Sequence, residues 1–109
     1  MSEGQLKLNE FEIAIIDLLA GGTLSQDFRT GYIRVVSRQL TGVGCYTDFD
    51  CPQSDEYSHV GLDAVINMPG VHSGMGAVLS LRGGRPLCLE IYTYGDELWD
   101  GVYDGFSFE

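Results

Sequence analysis

Two histidines, three cysteines and sixteen carboxylates are the side chains of this 109-residue sequence best suited to chemistry. His59 and His72, together with Asp48, Asp50 and Asp63, are of the types that compose a mixed imidazole–carboxylate site for a divalent metal. His59, His72 and Asp48 are its candidate ligands. The spacings that make such a set specific are missing. There is no His-x-His, His-Glu-x-x-His or Cys-x-x-Cys, so ordinary loop histidines and no cofactor are expected. A nucleophilic cysteine needs a base and a depressed pKa. Cys45 would have to recruit His59 or His72 from along the chain, and nothing local supports that. Ser73 lies between His72 and Gly74 and lacks the Gly-x-Ser-x-Gly frame of a nucleophile elbow. Residues 70–76 are glycine-rich but lack the lysine and following helix of a phosphate cradle, and read as a turn between strands. One acid–base set remains: Glu90, with Tyr92 and His72 as companions in a pocket.

The placement of Glu90 follows from a hairpin. Two apolar runs, Leu79-Ser80-Leu81 and Leu87-Cys88-Leu89, flank Gly83-Gly84. A two-residue type I′ loop needs positive φ at both central positions, which glycine supplies without steric cost. Such a loop sets Arg82 opposite Arg85, Val78 opposite Leu89, Ala77 opposite Glu90 and Met75 opposite Tyr92. Cross-strand partners share a face. One face then carries Val78, Leu87, Leu89 and Ile91, and the other carries Met75, Ala77, Leu79, Leu81, Cys88 and Tyr92, with Glu90 among them. Two apolar faces both need covering, so a homodimer is expected. A carboxylate in an apolar face must be hydrogen-bonded, paired or protonated. Arg34, Arg38 or a backbone amide is its expected partner, with edge exposure and a functional acid as alternatives.

The remaining elements are read around this hairpin. Residues 1–7 are expected to be frayed. Asn9 followed by Glu12 reads as a capping box, and Leu8, Phe11, Ile15, Leu18 and Leu19, widened by Ile13 and Ile16, form a helical stripe ended by Gly21-Gly22. A helix over residues 9–20 is predicted. A short second helix is considered over residues 23–30, where Leu24 and Phe28 lie one turn apart. Residues 32–40 are β-branched and half polar, which predicts a strand, with Arg34 and Arg38 on one solvated face. Val43, Cys45, Thr47 and Phe49 alternate with polar residues in a second strand. Val60, Leu62, Ala64, Ile66 and Met68 alternate in a third, broken at Pro69-Gly70. Residues 51–58 are the best surface loop. The acidic, aromatic segment 95–109 is expected to dock on the core through Trp99 and Phe106. The expected fold is therefore α+β in a single domain, residues 1–109, with an antiparallel sheet of about four to five strands and the N-terminal helix packed on one face.

Charge narrows the partners. Six basic against sixteen acidic residues give a net charge of −10. Nucleic acid and anionic membranes are disfavoured, because both are bound by clustered lysine and arginine; solubility or a basic protein partner fits better. An odd number of cysteines, no signal peptide and no apolar run of membrane-spanning length point to a reducing, cytoplasmic setting.

Two stretches carry a resemblance. Gly42-Val43-Gly44-Cys45-Tyr46-Thr47-Asp48-Phe49 and Glu90-Ile91-Tyr92-Thr93-Tyr94-Gly95-Asp96-Glu97-Leu98-Trp99 resemble a family of small uncharacterised bacterial proteins. Its members carry Gly-Val-Gly-aromatic-aromatic-Thr-Asp-Phe and, later, Glu-Gly-Tyr-Thr-Tyr-Asp-Glu-Pro-Trp. Gly74-Met75-Gly76-Ala77 is similar to a segment between the two. The chain departs at Cys45, where an aromatic residue is usual, at Ile91 (Gly), at Leu98 (Pro) and at the added Gly95. The resemblance spans about residues 38–99 and implies a compact bacterial domain without supplying a mechanism.

The sequence thus favours a non-enzymatic, protein-binding or self-associating domain with an acidic surface, of which an immunity-type inhibitor of a basic toxin is one form. The rival is a small hydrolase or metal-dependent enzyme built on His72, Glu90 and Tyr92. A cleft gathering those three side chains favours the enzyme. An apolar patch with an acidic rim favours the binder.

Overall fold

The computed structural model describes residues 8–22 and 34–109. The expected frayed terminus and the short helix at residues 23–30 lie outside them. The described chain is α+β: one helix, α1 (Glu10–Gly22), then β1 (Val35–Leu40), β2 (Gly44–Phe49), β3 (Tyr57–Gly61), β4 (Ile66–Met68), β5 (Val71–Arg82), β6 (Arg85–Thr93) and β7 (Ser107–Phe108). The sheet is antiparallel, in the order β1-β2-β6-β5-β4-β7, with β3 also paired to β5. Seven strands replace the expected four to five. The alternating run at residues 60–68 divides into β3 and β4, residues 70–76 lie largely inside the long β5 rather than in a turn, and the last residues add β7. Strand β5 is long enough to pair with β6 along one edge and with both β3 and β4 along the other.

The glycine turn is as read: Gly83 and Gly84 have φ of 60° and 76°. Beyond it the register departs from expectation. Leu81 faces Pro86, but Ser80 faces Cys88, so Leu87 is an extra residue on β6. Proline has no N–H to give to the ladder, and a bulge beside it accommodates that loss. One extra residue moves every later side chain to the other face. Leu79 therefore faces Leu89 and Ala77 faces Ile91, while Val78 faces Glu90 and Gly76 faces Tyr92. The large apolar side chains collect on one side: Met75, Ala77, Leu79, Leu81, Leu89 and Ile91 are all buried. The opposite face carries Ser80, Cys88, Glu90 and Tyr92, all partly exposed, together with the exposed Tyr46 and Asp48 of β2. The reading of two apolar faces is thus corrected, and the case for a homodimer built on it goes with it.

A second bulge acts on β1. Val35 faces Phe49 and Ser37 faces Asp48, which leaves Val36 as the extra residue. Val35 is buried, and Arg38 lies opposite the buried Thr47. Arg38 therefore points to the core side, not to a solvated face shared with Arg34.

Helix α1 begins as the capping box predicts. The Asn9 Oδ1 accepts the Glu12 N–H at 2.8 Å, and the Glu12 Oε1 accepts the Asn9 N–H at 2.9 Å. This satisfies two donors that a helix start otherwise leaves unpaired, and such a cap is worth about 1 kcal/mol. Phe11, Ile15, Ile16 and Leu19 join the same buried cluster as Val35, Leu79 and Leu89, whereas Leu18 is exposed. The C-terminal segment closes onto that cluster. The Phe11 ring meets Tyr103 and Phe106 with centroids 5.4 and 5.0 Å apart, and Trp99 meets Tyr103 edge-on at 5.3 Å.

Candidate functional site

Glu90, Tyr92 and His72 are not drawn into a common cleft. Glu90 and Tyr92 lie on the solvent-facing side of β6, and the Glu90 Oε2 accepts a hydrogen bond from the Tyr46 hydroxyl at 3.2 Å. The neighbouring Glu90 charge raises the Tyr46 pKa above its ordinary value. The Tyr92 side chain lies over Gly76, where a Cβ would meet its hydroxyl at 2.7 Å and its ring at 2.8–3.0 Å. His72 is exposed near the start of β5. No hydrogen bond joins the three side chains. Glu90 has neither Arg34 nor Arg38 as a partner.

The metal candidates are also dispersed. His59 lies opposite Ser80 on β3, and Asp48 accepts the Ser37 hydroxyl at 3.1 Å. Among the described residues, no group of three or more His, Cys, Asp or Glu side chains is placed to hold a metal ion. Cys88 sits between Asp48 and Glu90 on the outer face; burial, then hydrogen bonding to Asp48 and the two negative charges, push its thiol up to about 12. All three cysteines are free thiols.

Among the described residues, the fully buried carboxylate is Glu12, on the helix rather than on β6. Its Oε1 accepts the Asn9 N–H at 2.9 Å and Arg38 Nη2 at 2.6 Å; its Oε2 accepts Arg38 Nε at 2.8 Å and the Thr47 hydroxyl at 2.9 Å. This is a bidentate guanidinium–carboxylate pair, the strong form of a charge-assisted contact. The hydrogen bonds that Arg38 donates to Glu12 raise the Arg38 pKa; burial opposes this, and the Glu12 charge adds to it. The network continues through Cys45, whose sulfur lies 3.9 Å from Thr47 Oγ1 and accepts the Tyr103 hydroxyl at 3.5 Å. Burial, followed by the bond to Cys45, raises the Tyr103 pKa. No histidine reaches Cys45. With four donors on two oxygens, Glu12 has no acceptor site left for a substrate. The cluster ties α1, β1, β2 and the C-terminal segment together, and its chemistry is structural.

An open surface lies at the other end of the C-terminal segment. Strand β6 passes into a 3₁₀ turn, Tyr94–Asp96, in which Gly95 and Asp96 take φ of 72° and 58°. A carboxylate side chain tolerates that left-handed conformation better than most. The chain then runs along the β1–β2 turn. The Trp99 N–H donates to the Gly42 carbonyl at 2.9 Å, and the Trp99 indole donates to the Val102 carbonyl at 3.3 Å. Glu97 fastens the start of this run. Its two carboxylate oxygens accept the consecutive backbone N–H groups of His72 and Ser73 at 2.7 and 2.9 Å, which lowers its pKa. The Thr93 hydroxyl donates to the Glu97 carbonyl at 2.6 Å.

Trp99 is buried by this arrangement, but its neighbours are not. Leu98 is 78% exposed, Leu40 56% and Val102 53%. Leu40 lies against Gly101, where a Cβ would come within 3.0 Å of it. A groove of about 400 Å³ is lined by Leu98 with Gly42, Pro69, Gly70, Trp99 and Asp100. Asp96, Asp100 and Asp104 are exposed along the same segment. Trp99 docking was expected from the aromatics interleaved in the acidic tail; the groove was not, because it needs the β1–β2 turn and the Pro69-Gly70 turn brought alongside. Among the described residues, no helix is long and apolar enough to cross a membrane. Comparison with family models, with curated proteins and with solved structures gave no match.

Proposed function

We propose that this chain is a non-enzymatic protein-binding domain whose contact surface is the segment after β6 together with the β1–β2 turn. The observation that carries this reading is Leu98, a large apolar side chain held almost wholly in water at the mouth of an apolar groove. Grouped exposed apolar side chains with a polar rim mark interaction sites. Leu40, packed against Gly101, and Val102 are also exposed; Asp100 lines the groove, and Asp96 is exposed on the same segment. Residues 86–109 hold six carboxylates and no lysine or arginine, so a basic protein partner fits by charge. An immunity-type inhibitor of a basic toxin, acting in the cytoplasm, is one concrete form. Both stretches behind the bacterial-family resemblance border this surface, through Gly42 on one side and Leu98-Trp99 on the other, and membership of that family is part of the same reading. A hydrolase or metal-enzyme built on His72, Glu90 and Tyr92 draws no support from their dispersal.

Replacing Leu98 with a photo-crosslinking amino acid in cells that make the protein tests the reading. One dominant protein adduct is expected, and none from the same replacement at Asp55 in the 51–58 loop. Absence of an adduct from Leu98 overturns it.

A further inference from the structure

We infer that the groove between Trp99 and Pro69 seats one apolar side chain from a basic segment of the partner, whose lysines or arginines lie against Asp96 and Asp100. The inference rests on the protein-binding reading above and adds to it the chemistry and seating of the partner. The groove, about 400 Å³, has room for a large side chain, and it is lined by Trp99, Pro69, Gly70 and Gly42 together with Leu98 and Asp100. It is also pre-formed. The Trp99 backbone and indole are each hydrogen-bonded, and the Glu97 carboxylate pins the segment to β5. A pre-formed groove spares the partner the cost of ordering it.

Charge selects the occupant. Among the described residues, neither Asp96 nor Asp100 has an ion-pair partner. One Asp100 oxygen accepts the Val102 N–H at 3.0 Å, which orients the carboxylate at the groove wall and leaves its other oxygen unused. A second copy of the chain would bring a net −10 against −10 and set these carboxylates against their own kind. A cationic segment removes the repulsion and supplies the missing counter-charges. An apolar anchor in a desolvated pocket, ringed by charge pairs, is how small interfaces concentrate their affinity.

Trp99 is the only tryptophan, so its fluorescence reports the groove directly. The probes are three short tryptophan-free peptides: Lys-Arg-Phe-Lys-Arg, Lys-Arg-Ala-Lys-Arg and Glu-Glu-Phe-Glu-Glu. The first should perturb Trp99 emission saturably and bind about tenfold more tightly than the second, the difference made by burying one phenylalanine side chain. The third should not bind. Leu98→Ser and Asp100→Asn should each weaken the first peptide several-fold. An Asp55→Asn/Glu56→Gln variant, which removes two charges from the 51–58 loop, should bind it like the parent. Equal binding of the phenylalanine and alanine peptides, or equal weakening by the loop variant, reduces the effect to net charge and overturns the inference. So does a solution mass near twice 11.9 kDa that Leu98→Ser returns to one chain, because a second copy then holds the groove. If crosslinking from Leu98 succeeds while the peptides show no preference, the protein-binding reading survives and this inference falls; if both fail, both fall.

Discussion

Removing either partner of the Glu12–Arg38 pair should destabilise the protein, and Arg38→Gln should cost more than Glu12→Gln. Glu12 is fully buried, whereas the Arg38 side chain keeps 23% of its surface in water. Without Arg38, a buried carboxylate retains the Thr47 hydroxyl and the Asn9 amide but loses its counter-charge. Stranding a buried charge in this way costs about 3–5 kcal/mol. In Glu12→Gln the amide oxygen keeps one of the four donors and the guanidinium turns toward solvent. The loss is then of charge-assisted hydrogen bonds and part of the cap, about 2–3 kcal/mol. Domains of this size have about 5–15 kcal/mol in hand, so either loss is a large fraction. The double variant should cost less than the sum of the singles, with a coupling of about 1–3 kcal/mol, because the two groups share the same bonds. Urea melts followed by Trp99 fluorescence and by far-ultraviolet circular dichroism measure all three, with unchanged slopes certifying the same transition. Arg38→Gln within about 1 kcal/mol of the parent would refute the reasoning, as would a larger loss from Glu12→Gln.

Three other outcomes follow from the geometry. Glu97 is held below its ordinary pKa by the His72 and Ser73 amides, so its contribution to stability is present above the unfolded carboxylate pKa and is lost as pH falls through the folded one; Glu97→Gln should remove that acid-range component from stability measured against pH. Cys88, with its thiol pushed up to about 12, should be alkylated at pH 8 far more slowly than an unfolded-chain cysteine, as followed by peptide mass spectrometry, and Asp48→Asn should speed it. Gly44→Ala would drive its Cβ into the Ile91 carbonyl, a backbone atom that cannot swing aside, and should cost more than about 2 kcal/mol in the same urea melts by forcing β2 from β6.

The parts of the fold written in local chemistry could be read without coordinates. The Asn9–Glu12 box, the stripe Phe11-Ile15-Leu19, the Gly83-Gly84 turn and the alternation Cys45-Thr47-Phe49 each depend on neighbours a few residues away, and each stands where local pattern places it. Partnership across the chain is different. A bulge at Leu87 is a choice between two ladders that share one hairpin turn, and only the whole core decides it, by gathering Met75, Leu79, Leu89 and Ile91 on one side. That choice put Glu90 on the partly exposed outer face, while Glu12 is the buried acid among the described residues, with the Val36 bulge turning Arg38 inward to meet it. The division between what pattern announces and what packing settles has a physical basis. Caps and turns are set by short-range sterics and hydrogen bonds, whereas register, burial and the groove beside Trp99 depend on which distant surfaces exclude water together.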